Sequence, residues 1–175
     1  MKRLVLLYGL FFLPLLTGLQ VTPRADANAR IKSVFIYNFT RYIEWPSDYK
    51  SGNFIISIFG SNTALLNELN NMAKTKTVGE QKIEIRNTTS LDGIGKSNIL
   101  FVTPDAGVSL SEVIAKLKGK STLLVTEKAG YAKQGAAINF VVIENRQKFE
   151  LNKANAEKYN LKVSSTLESL AIPVN

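Results

Sequence analysis

Three short apolar runs separated by helix-like stretches constrain this chain more than anything else in it. FIISIF (54–59), NILFVT (98–103) and STLLVT (121–126) are nearly continuous in hydrophobicity and rich in β-branched residues. A strand with one face in water alternates apolar and polar residues, whereas a strand without alternation needs cover on both faces, as inside a parallel sheet. Between the runs, Leu65, Leu66, Leu69 and Met72 recur at helical spacing over residues 63–73, and Ser109-Leu-Ser-Glu112 is a capping-box pattern opening a helix that Gly119 ends. Strands and helices in that order imply right-handed crossovers. The expected architecture is α/β, a three-layer α/β/α sandwich around a mostly parallel central sheet.

The last third changes character. Residues 137–143 and 147–151 read as two strands joined through Glu144-Asn145-Arg146, which adds an antiparallel C-terminal hairpin. KIEIR (82–86) alternates, so it reads as a half-exposed or edge strand. Asn152 is placed to cap a short helix running to Tyr159, with Asn160 as its left-handed stop, and Ser165-Thr-Leu-Glu168 opens a final helix to Ala171.

The block IKSVFIYNFTRYIEWP (31–46) is the densest apolar and aromatic segment after the N-terminal leader. At 100° per residue Ile31, Val34, Phe35, Phe39 and Tyr42 fall on one stripe, with Ser33, Thr40 and Glu44 opposite. The spacing predicts a helix that buries this stripe and stops at Trp45-Pro46, since a residue before proline avoids the α region. Asn38 lies inside the stripe, where a buried amide needs partners or costs roughly 1–3 kcal/mol.

The N-terminus has the parts of a secretory signal: Lys2 and Arg3, an apolar core over residues 4–16, then small residues at Ala25-Asp26-Ala27 or Ala27-Asn28-Ala29. The apolar core, broken by Gly9 and Pro14, falls short of the about 20 residues that span a bilayer. A cleaved leader over 1–27 and a single domain over 28–175 in the periplasm are therefore expected. The formal net charge is +8. Its Lys and Arg residues are scattered, and export removes access to nucleic acid, so a solvated basic surface is the simplest reading. With no cysteine and no histidine, a Ser-His-Asp triad, a Cys nucleophile and the usual zinc ligand sets are excluded. Nor does any spacing bring Glu44, Asp48, Asp92, Asp105, Glu127 or Glu144 together for acid/base work. No catalytic residue, metal or cofactor is expected.

Two candidate sites emerge. Gly60-Ser61-Asn62 lies between a buried strand and a helix N-terminus, and Thr103 and Thr126 end the next two strands, so all five belong to the edge where α/β sheets bind small ligands. The glycine lacks the spacing of the phosphate-binding fingerprints, and a tight turn with a capping residue is the simpler explanation. The second site is the end of the first helix, where Arg41, Glu44, Trp45 and Pro46 combine charge with an aromatic anchor for a partner; for Trp45 plain packing is the competing reading.

Several blocks resemble the YfiR-like family of exported bacterial regulators: residues 31–46 closing on Trp45-Pro46, Ile58-Phe59-Gly60, Asn98-Ile-Leu-Phe-Val102, Leu123-Leu-Val-Thr-Glu127, Gly130-Tyr-Ala-Lys-Gln-Gly135, Ile138-Asn139-Phe140, Phe149-Glu-Leu-Asn152 and Leu161-Lys-Val-Ser-Ser165. The resemblance implies a periplasmic, non-enzymatic protein that regulates an inner-membrane signalling enzyme by binding its periplasmic part. In the best-known members that enzyme is a diguanylate cyclase, so cyclic di-GMP signalling and biofilm formation are implied, and an outer-membrane-associated partner sequesters the regulator. Related domains also accompany histidine kinases. A second copy of the chain is a further admissible partner. This sequence departs from many relatives in carrying Asn98 where they have a cysteine, so redox control has no thiol to act through. The alternative function is a periplasmic small-ligand sensor using the strand-end residues.

Overall fold

In a computed structural model the described residues are 24–175, and most of the expected leader, residues 1–23, lies outside them. Helix α1 (Arg24–Tyr42) runs straight into the two-residue strand β1 (Ile43–Glu44), then a 3-10 turn over Ser47–Tyr49. Strand β2 (Phe54–Phe59) leads to α2 (Thr63–Ala73), the edge strand β3 (Thr77–Val78) and β4 (Gln81–Thr88). Next come β5 (Ile99–Val102), α3 (Leu110–Leu117), β6 (Leu123–Thr126) and the one-turn α4 (Tyr131–Gln134). The chain closes with β7 (Ile138–Ile143), β8 (Arg146–Leu151), α5 (Lys153–Lys158), β9 (Lys162–Val163), α6 (Ser165–Leu170) and β10 (Ile172–Pro173).

Eight strands form one sheet in the order β10-β8-β7-β6-β5-β2-β4-β3. Strands β4, β2, β5, β6 and β7 run parallel, β7 and β8 form the antiparallel hairpin, and β3 folds back antiparallel on β4. Every residue of β5 and β6 is buried, as their unbroken apolar runs require. The hairpin turn holds Glu144 and Asn145 at φ 52° and 59°, the handedness that a two-residue turn needs to follow the strand twist. Connection β2-α2-β4 moves toward one edge of the sheet and β5-α3-β6 toward the other; right-handed crossovers therefore place α2 and α3 on opposite faces. The expected α/β/α architecture is the one observed.

Helix α1 lies on the α2 face and supplies its aromatic core. Phe39 meets Phe149 edge-on at 5.2 Å, and Phe35 meets the same ring at 5.5 Å. Such pairs contribute about 0.5–1.5 kcal/mol beyond their buried area. The buried side of α1 nevertheless differs from the expected stripe. Ala29, Lys32, Ser33, Ile36 and Phe39 face inward, while Ile31 and Val34 are 42% and 53% exposed and Asn38 is half-buried. The stripe is turned because two polar residues occupy core positions with internal partners: Lys32 reaches Glu127 beyond β6, and the Ser33 hydroxyl donates to the Arg30 carbonyl at 2.8 Å.

The helix also ends earlier than Trp45-Pro46 suggests. It stops at Tyr42 because Ile43 and Glu44 leave it to pair with Val163 and Lys162. In α3 the predicted capping box is present in both directions through Ser109 and Glu112. The last helix is capped by Ser164, one residue before the expected Ser165, with its hydroxyl accepting from the Leu167 amide.

Candidate functional site

The two candidate sites lie at opposite ends of the parallel strands. At the carboxyl end, Gly60 adopts φ 108° and a Cβ built on it would meet Thr103 Oγ1 at 1.9 Å, so only glycine allows this approach of the loops after β2 and β5. Thr103 is 3% exposed, and its hydroxyl has no hydrogen-bond partner. Asn62 is half-buried and caps α2, its Oδ1 accepting from the Leu65 amide at 3.0 Å; Ser61 is exposed. Thr126 lies two strands away from Gly60 and is buried. Its hydroxyl donates to Asn139 Oδ1 at 2.7 Å, while Asn139 Nδ2 donates to Glu150 at 2.8 Å and the Lys128 amide donates to Asn139 Oδ1 at 3.0 Å. The structure thus brings Gly60 and Thr103 together, uses Asn62 as a cap, and ties Thr126 into a separate buried network.

The amino end is built differently. Trp45 is 5% exposed: its indole N–H donates to the Asn98 carbonyl at 3.0 Å, and its ring meets Phe54 edge-on at 5.0 Å. It is therefore a packing residue and not an exposed anchor. Asn98 is the hub of this end. Its Oδ1 accepts from the Ile55 amide at 2.9 Å, and its Nδ2 donates to the Tyr49 carbonyl at 3.2 Å. The Tyr49 hydroxyl in turn accepts from the Ser121 amide at 3.0 Å. No spacing marks Tyr49; Asn98 is an amide adjoining an apolar run, a position that favours a strand-end hydrogen bond.

Over this hub lies a groove of about 350 Å³ whose floor includes Trp45, Tyr49, Phe54 and Val78 and whose rim includes Glu44, Lys50 and Gln81. Edge strand β3 forms one wall, held to α1 by the Tyr37 hydroxyl donating to the Thr77 carbonyl at 3.3 Å. Glu44 is exposed on the rim and pairs with Lys50 at 3.1 Å and more loosely with Lys162 at 3.9 Å. The hydrogen bond from Lys50, and then the charge of Lys162, hold the Glu44 carboxyl below the usual glutamate range. Arg41 is exposed at the last turn of α1, and Pro46 is half-buried beneath the loop. Of the four residues expected to face a partner, Arg41 and Glu44 are at the surface.

A mostly parallel α/β domain supports many functions, so the fold does not by itself assign one. The same fold occurs in a conserved domain protein of Vibrio cholerae O1 biovar El Tor, matched with a TM-score of 0.55 at 11% identity over 84% of this chain. This chain spans 60% of that protein's solved length. None of the curated proteins matches the sequence. The family is nonetheless defined: residues 29–172 match the YfiR/HmsC-like family, and the chain belongs to it. Membership points to the regulatory class and to cyclic di-GMP signalling.

Proposed function

We propose that this protein is a periplasmic, non-enzymatic regulator that binds the periplasmic part of an inner-membrane signalling enzyme, a diguanylate cyclase or a histidine kinase, and sets its activity. Family membership carries the reading. It is supported by the polarity of the two sheet ends: the carboxyl end, where α/β enzymes keep their ligands, is filled by its own side chains, whereas the amino end offers a groove rimmed by charge. Of the four residues expected to face a partner, Arg41 beside the groove and Glu44 on its rim are exposed to one, together with Lys50.

The test is a strain lacking the gene, complemented with the native chain or with Arg41→Glu. Cyclic di-GMP level or kinase output is measured alongside the amount of exported protein and its melting temperature. The expected result is altered output on deletion, restored by the native chain and not by a folded, exported Arg41→Glu. Unchanged output on deletion overturns the regulator reading. The small-ligand alternative has one observation on its side, the unpartnered Thr103 hydroxyl beside Gly60. A thermal-shift screen of nucleotides, amino acids and cell-wall fragments tests it, because a ligand of the native state raises the melting temperature by mass action.

A further inference from the structure

The outward side of α1 carries residues that the fold does not use. Ile31, Val34, Asn38 and Arg41 follow one another at intervals of three, four and three, the spacing of a seam that a second helix can match. Ile31 and Val34 are the exposed large hydrophobics of this helix, Asn38 is half-buried, and Arg41 is exposed. Sequence periodicity alone assigns Ile31 and Val34 to the core; the structure puts them in solvent because Lys32 and Ser33 take the inward positions. Beside the seam, between α1 and α2, runs a groove of about 350 Å³ that Val34, Tyr37 and Met72 line together with Arg30, Glu68 and Lys76.

Charge decides what fits. Arg30, Arg41 and Lys76 are exposed and none forms an ion pair among the described residues, while Glu68 is the carboxylate of the groove. Two copies of α1 laid against each other would set Arg30 and Arg41 against like charges in either direction, and the chain carries a formal net charge of +8. We infer that the outward seam of α1, Ile31, Val34 and Asn38 between Arg30 and Arg41, docks an acidic amphipathic helix of a partner protein. Apolar residues of that helix cover Ile31 and Val34, its carboxylates pair with the two arginines, and a polar group opposite Asn38 fixes the register, as a single seam amide does in coiled coils. The inference rests on the partner-binding reading above and names the kind of segment that is bound.

The probes are two synthetic, end-blocked helices with the same leucine seam, one flanked by glutamates and the other by lysines. Binding to the purified exported chain is followed by fluorescence anisotropy and by amide shift mapping. The glutamate helix is expected to bind with shifts along α1, the lysine helix not to bind, and raised salt to weaken the complex. Val34→Asp, at an exposed position, leaves the melting temperature unchanged and lowers affinity at least about tenfold, as loss of a central contact does. Arg30→Glu with Arg41→Glu transfers preference to the lysine helix. No binding, equal binding of both helices, or a dimer in sedimentation that Val34→Asp dissociates overturns the inference. If the glutamate helix fails while deletion of the gene still alters signalling output, only the α1 assignment falls; if deletion changes nothing, the regulator reading falls with it.

Discussion

The two ends of the parallel sheet are made of the same ingredients, buried amides and hydroxyls among apolar side chains, and behave differently. At the amino end one residue, Asn98, joins three segments, and each of its polar atoms meets a backbone group or an indole. At the carboxyl end the polar contacts are shared out among Asn62, Asn87, Thr126 and Asn139, which bond backbone and side chains alike, and one hydroxyl, on Thr103, has no hydrogen-bond partner. Backbone partners are fixed by the fold, so the amino end is a rigid floor on which a groove can persist. With its contacts spread over several residues and not gathered on one, the carboxyl end tolerates one unpaired hydroxyl.

Four measurements break or sharpen this contrast. The largest effect is expected for Trp45→Ala, which opens a cavity against Phe54 and removes the indole hydrogen bond to the Asn98 carbonyl; it should cost about 3–5 kcal/mol in chemical denaturation. A loss below about 1 kcal/mol would mean that the amino end is not the rigid one. Next are Asn98→Ala and Asn139→Ala, one from each end. Removing Asn98 strands two backbone groups, the Ile55 amide and the Tyr49 carbonyl, for about 2–4 kcal/mol, whereas removing Asn139 strands one, the Lys128 amide, together with the Thr126 and Glu150 side chains, for about 1–3 kcal/mol. The reverse order in parallel urea melts would undo the comparison.

Thr103→Val replaces an unpaired buried hydroxyl by a methyl group of the same shape and should stabilise the protein by up to about 1 kcal/mol. A clear destabilisation would show that the hydroxyl has a partner in solution. The smallest effect concerns Glu44. Its carboxyl is held low by Lys50 and then Lys162, so its contribution is complete above the ordinary glutamate range and is lost as pH falls through the lowered value. Between roughly pH 5 and pH 3 the melting temperature of the native chain should therefore fall more steeply than that of Glu44→Gln. Equal slopes would remove the Glu44 pair from the account of the groove rim.

The elements that could be read from the residues are those whose signal is local and repeated. Unbroken apolar runs located β2, β5 and β6, paired polar residues located the cap of α3, and Asn160, at φ 54°, stops α5 as a left-handed residue should. What could not be read depends on distant partners. Strands β1, β3, β9 and β10 have two residues each, too few for any period to register. The turn of α1 about its axis follows from Lys32 finding Glu127 across 95 positions, which hydrophobicity cannot register. For the same reason no local pattern distinguishes Trp45 as anchor from Trp45 as wedge; its hydrogen bond to the Asn98 carbonyl, 53 positions away, makes it a wedge.

The pairing of Ile43-Glu44 with Lys162-Val163 has a consequence for how the chain comes into being. The ribbon that ends the first helix is completed by residues more than a hundred positions later, and the sheet edge at β10 closes later still. A chain emerging amino end first from the ribosome cannot knit this ribbon until almost all of its length is available. The Glu44 edge of the groove therefore takes its final place only when the chain is almost complete.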